Sequence, residues 1–162
     1  MQSRPLIYAG LLFAAALWCA LIIAAPVLAA WGVPAAADIY RFFRPVCHQD
    51  AARSFFLTGH PFAVCIRCTA VYAGFFAALI AAPFVPPVRP RSTLPFWLIG
   101  VSPMLIDVAA DLTGLHEAGV LTRTFTGALF GLTAGFVLLP DAMNAIAGLF
   151  TPRIHEPRST HE

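Results

Sequence analysis

Four stretches of this chain, from about Leu6 to Ala30, Thr69 to Val85, Leu94 to Ala110 and Thr124 to Leu139, contain a single charged side chain between them, Asp107. A bilayer's hydrocarbon core is about 30 Å thick and takes about 20 mostly apolar residues to cross as a helix. The runs are continuous rather than alternating. Four strands alone do not close a barrel, so spanning strands would leave backbone groups unsatisfied in lipid. The expected fold is therefore all-α: a polytopic integral membrane protein of four transmembrane helices. Residues 1–150 are read as a single helical membrane domain and 151–162 as a polar tail. The composition agrees, with 59% hydrophobic and 11% charged residues against about 25% charged in soluble domains. A formal net charge of +2, with the arginines scattered, leaves no footprint for nucleic acid. Its partner is the lipid bilayer. The first run exceeds the roughly 7–15 residues of a signal-peptide core, so it is read as an uncleaved span.

Three of the four cysteines and two of the five histidines fall within one short segment, Cys47-His48 through His60 to Cys65-Ile66-Arg67-Cys68. Thiolate and imidazole are soft metal ligands, and paired thiols exchange disulfides. A metal site built from Cys47, Cys65 and Cys68 with His48 or His60 would suit zinc or another soft divalent metal. His60 is the easier fourth ligand, because adjacent Cys47 and His48 reach one ion with difficulty. The same residues suit a thiol–disulfide pair of Cys65 and Cys68, resolved by Cys47. Cys19, inside the first span, is read as packing. Ile39, Phe42, Phe43 and Val46 recur at helical spacing opposite Arg41 and Arg44, which predicts a short interfacial helix limited by Pro45.

An even number of spans alternates the termini and loops. The segment from Trp31 to Cys68 and the 111–123 loop then share one side of the membrane. Cys47, His48, His60, Cys65, Arg67, Cys68, Asp107, Asp111, His116, Glu117 and Arg123 gather there, and a polar pocket at one membrane face is expected. Asp107 and Asp111 lie one helical turn apart, on one face. His48, Asp107, Asp111 and Arg123 are the catalytic candidates. A plain ion pair with Arg123 is the alternative role for the two aspartates, and solvated loop residues the alternative for His116 and Glu117. Arginines number five on each side. Setting Arg67 and Arg123 aside as site residues favours a cytoplasmic N-terminus and an outward pocket. Gly127, Gly131 and Gly135 form a small-residue stripe suited to close helix packing, within the chain, in a homo-oligomer or against a membrane partner.

Cys47-His48-Gln49, Arg53-Ser54-Phe55, Gly59, Val64-Cys65-Ile66-Arg67-Cys68-Thr69, Tyr72 and Gly74 resemble a family of small prokaryotic membrane proteins with a CHQ…CxRCT signature, a domain of unknown function. Asp107 and Arg123 with Thr126-Gly127 also fit its pattern. Ala70 and Val108 stand where that family commonly has glycine. The resemblance implies a prokaryotic cell-membrane protein and assigns no activity. Three functions remain open at this point: a metal-binding protein, a membrane thiol–disulfide oxidoreductase or metal-assisted enzyme acting on a lipid headgroup, and a helper subunit of a membrane complex.

Overall fold

The computed structural model describes residues 3–85, 93–115 and 118–150. Four helices are long and apolar enough to cross a membrane: α1 (Ser3–Ala30), α3 (Ile66–Ala81, extended by a 3₁₀ turn over Ala82–Phe84), α4 (Thr93–Leu112) and α5 (Val120–Phe150). Between α1 and α3 lie the short helix α2 (Ala35–Phe43), a 3₁₀ turn at Ala51–Arg53, and two-residue strands β1 (Phe56–Leu57) and β2 (His60–Pro61). The alternating topology holds. At one end Tyr8 of α1 donates to the carbonyl of Leu79 late in α3, and Arg4 donates to Asn144 late in α5. The opposite ends of α3, α4 and α5 meet at the polar residues described below.

The structure departs from the sequence reading at several helix ends and at one hairpin. The second span begins at Ile66 rather than Thr69, which puts Cys65 at the N-cap and Cys68 in the first turn. The fourth does not stop at Pro140: α5 runs through it to Phe150. Proline costs a helix one N–H and a clash with the preceding turn. Within a membrane neighbouring groups re-satisfy the freed backbone, so the helix continues. The β-hairpin was not anticipated. Its strands are too short to carry a periodic signal, and only the turn betrays it: Thr58 and Gly59 both have positive φ (54° and 81°), as a tight two-residue hairpin loop requires.

The glycine stripe, for which spacing left open a helix of the same chain, a second copy or a membrane partner, lies against α3 of the same chain. A Cβ at Gly127, Gly131 or Gly135 would run into Arg67, Val71, Phe75 or Ala78 of α3, and one at Gly74 into the backbone of Ala128. Without side chains between them, α3 and α5 pack backbone to backbone. Helix α5 is thus the spine, with α3 on one flank and α4 on another, while α1 leans on α3.

Pro26 in α1 has a specific use. It has no N–H to give to the carbonyl of Ile22 four residues earlier, and that carbonyl accepts instead from Ala63 N at 3.4 Å. The chain just before Cys65 is thereby tied into the side of a spanning helix, eight residues from its end, about 12 Å at 1.5 Å per residue. Tyr40 of α2 donates to the Pro61 carbonyl at 2.5 Å, and Thr58 donates to the carbonyl of Pro26. Ile22, Ala25, Phe43, Cys47, Ala63 and Val64 form one buried core, with Trp18 edge-on to Phe42, Phe43 and Tyr72. Helix α2 buries Phe43 and leaves Phe42 exposed, so its apolar stripe serves the core on one edge and faces outward on the other. Pro26→Ala restores the helical donor and competes with Ala63 for the Ile22 carbonyl. The expected outcome is faster thiol alkylation at Cys65, measured by mass spectrometry, with helix content unchanged by circular dichroism.

A three-cysteine candidate site beside an arginine–aspartate network

Three segments bring three sulfurs together. Cys47 follows α2, its N–H bonded back to the Phe43 carbonyl at 3.1 Å. Cys65 caps α3 in extended conformation, and Cys68 sits one turn on. Their Sγ atoms lie within 4.8 Å of one another, with no disulfide among them. Cys47 is buried, and its sulfur accepts from the backbone N–H of Cys65 at 3.2 Å and of Gln49 at 3.5 Å. Hydrogen bonds from the Cys65 and Cys68 thiols, aided by those two backbone donors, hold the Cys47 thiol far below the ordinary thiol range despite its burial. Because ionisation is easier in the folded protein, this contribution to stability is fully present above the unfolded thiol pKa of about 8.5. It is lost as pH falls through the lowered folded value. Reduced, metal-free protein is therefore expected to show a thiolate ultraviolet band at neutral pH that disappears in Cys47→Ser and persists well into the acid range in the unaltered chain.

Gln49 is the positioning residue that sequence reasoning passed over. Its backbone has φ 54°, and its side-chain amide donates to the carbonyls of Tyr40 at 2.7 Å and Ala63 at 2.8 Å. One side chain thus clamps the Cys47 loop to both α2 and the approach to Cys65. Its place directly after Cys-His was the available signal.

A cavity of about 490 Å³ opens beside the sulfurs. It is lined by all three cysteines together with Val46, His48, Asp50, Arg53, Arg67, Leu112 and Arg123. The expected convergence of the two loops on one face is thus present in the geometry. Arg67 in the first turn of α3 gives both Nε and Nη2 to Asp107 of α4, Nε at 3.1 Å. Asp107 also accepts from Thr126 of α5 at 3.3 Å. Asp111 accepts from Arg123 at 3.1 Å and from Arg53 at 3.3 Å. These bridges tie α3, α4, α5 and the first loop together at one end. Arg53, which entered the sequence reading only within the family resemblance, proves to be a member of the network. Its sole signal was an i,i+3 pairing with Asp50, seen here at 3.4 Å.

The candidates divide accordingly. Cys47, Cys65 and Cys68 converge. His48 lines the cavity but is exposed, and neither it nor His60 on β2 belongs to the tight group. Asp107 and Arg123 are buried, Asp111 is partly buried, and all three are engaged with one another or with Arg53 and Arg67. Cys19 lies apart, on an apolar groove between α1 and α3 with Trp18 and Tyr72. His116, Glu117 and the 151–162 tail lie outside the described residues.

A family model described as a predicted membrane protein, DUF2085, matches residues 47–137, from the first cysteine of the cluster to late in α5. An uncharacterised protein of Methanocaldococcus jannaschii is 36% identical over 104 residues, covering 63% of this chain and 67% of its own length. An uncharacterised protein of Methanothermobacter thermautotrophicus is 36% identical over 90 residues, covering 56% of this chain and 81% of its own length. No solved structure matches. The matched segment holds the cluster, the network and three of the four spans, and on that breadth the chain belongs to the DUF2085 family of predicted membrane proteins.

Proposed function

We propose that Cys47, Cys65 and Cys68 bind one soft divalent metal, zinc first among them, at one face of the membrane. The observation that carries this reading is the approach of three sulfurs to within 4.8 Å. Tetrahedral zinc, with Zn–S bonds of about 2.3 Å, needs ligand sulfurs about 3.8 Å apart, so a small closure suffices. Three thiols exceed what a disulfide requires. Three thiolates around a dication leave one negative charge, and Arg67 and Arg123 line the same cavity to offset it. The fourth position falls to solvent or to His48 across the cavity, and an open fourth position marks zinc sites that do chemistry rather than only hold a fold.

Elemental analysis and thiol alkylation of detergent-purified protein, each with and without reductant, test the proposal. One metal per chain with thiols blocked until a chelator is added is the expected result. Metal-free protein whose Cys65 and Cys68 become alkylatable only after reduction sinks it. That outcome would favour the redox reading, to which the placement of Cys65 and Cys68 at a helix start also lends itself. The orientation belongs to the same proposal: N-terminus in the cytoplasm, cluster outside. Reporter tags inserted at Thr58 and at Thr113 are expected in the same, outer compartment.

A further inference from the structure

The cavity beside the sulfurs has an arginine-lined wall with a use beyond offsetting the charge of the metal cluster. Three guanidinium groups, Arg53, Arg67 and Arg123, line it against one carboxylate, Asp50. Asp107, which is buried, and Asp111, whose carboxylate is largely covered, do not line it; they grip the arginines from the helix side. Each guanidinium is held by part of its fork. Arg67 commits Nε and Nη2 to Asp107, Arg123 commits Nη2 to Asp111, and Arg53 commits Nε to Asp50 and Nη1 to Asp111, which leaves its Nη2 uncommitted among the described residues. The Nε of Arg123, in a residue only 8% exposed, is buried without a partner among the described residues. Buried donors are rarely left so. Fixed, partly spent arginine forks converging on a cavity are the usual means of recognising a tetrahedral oxyanion.

The rim identifies the source of that anion. Val46 and Leu112 line the same cavity and are 48% and 80% exposed, and Leu115 and Leu121, just beyond on the chain, are 84% and 85% exposed. Arg67 and Arg123 stand in the first turns of spanning helices, so the guanidinium groups sit near headgroup depth with apolar side chains beside them. A free anion has no use for such a rim. An amphiphile's phosphate can enter the arginines while its chains stay against Val46 and Leu112.

We propose that this cavity binds a phosphoryl anion, and that the anion is the headgroup of an anionic lipid entering from the bilayer. The arginines carry this proposal, not the sulfurs, so it stands if the thiols hold no metal.

Native mass spectrometry of the full chain in detergent tests it, with phosphatidylglycerol, phosphatidylcholine and inorganic phosphate as probes. Phosphatidylglycerol is expected to be retained about ten-fold more tightly than phosphatidylcholine, and Arg53→Gln to remove most of that preference, as loss of one of three guanidinium charges and its charge-assisted donor does. Arg53 is half-exposed, so this variant keeps its fold; Arg123→Gln is the stronger variant and is scored only where circular dichroism matches the unaltered chain. Inorganic phosphate displacing the lipid at equal concentration overturns the lipid source and leaves the anion site. Equal retention of the two lipids, or a preference untouched in Arg53→Gln, overturns the site itself. Bound metal appears in the same spectra as its own mass increment, so failure of the metal reading is scored separately.

Discussion

Cys47→Ser is expected to strip the metal from the protein while leaving its helices in place. Structural zinc sites bind with about 10–16 kcal/mol, and losing one of three protein ligands should forfeit roughly a third of that, about 3–5 kcal/mol. Metal content after dialysis against a weak chelator should then fall from one per chain to near zero. Cys47 is the most informative of the three. Its sulfur receives two backbone N–H groups and the thiols of both partners, so serine there removes the charge on which the others organise. The helical signal is expected to survive, because α3 and α5 are held by backbone packing remote from the sulfur. Retention of stoichiometric metal in Cys47→Ser would mean that the cluster is not the binding site.

Gly131→Leu is expected to give the largest loss of stability of any single change on the spine. A Cβ at this position already meets the Val71 carbonyl and the Phe75 nitrogen, both backbone atoms that cannot swing aside. Overpacking commonly costs 1–3 kcal/mol where side chains adjust; with backbone as the obstacle, roughly 3 kcal/mol or more is expected. The control is Gly10→Leu, where nothing lies within 4 Å. Unfolding midpoints in mixed micelles should separate the two variants clearly. Because Arg67 lies one turn before Val71 on the same helix, Gly131→Leu should also loosen the Arg67–Asp107 pair and raise the alkylation rate of Cys68.

The spans and the convergence of polar groups were legible because both follow from hydropathy and parity. A lipid-spanning helix announces itself in length, and an even count sends both loops to one side. The three cysteines were legible from clustering alone. The place of His60 was not: it has suitable spacing in the chain, but it stands on β2, outside the group of three sulfurs, and a two-residue strand leaves no pattern to read. The helix limits at Pro140 and Thr69 were misplaced for a related reason. Proline and N-cap preferences describe helices in water, whereas here neighbouring spans decide. Gln49 and Arg53 escaped notice because their roles are carried by bonds to residues distant in the chain, Ala63 and Asp111. The glycines were seen as a packing stripe, but spacing alone cannot say whose helix lies across them.

The tie between Ala63 and the Ile22 carbonyl bears on modularity. The segment matched by the family model opens at Cys47, yet the floor under its sulfurs, Ile22 and Ala25, is contributed by the helix before it. A fragment cut at Cys47 would retain all three cysteines and lose the surface that fixes their depth. The first helix is thus the template against which the three thiols are set.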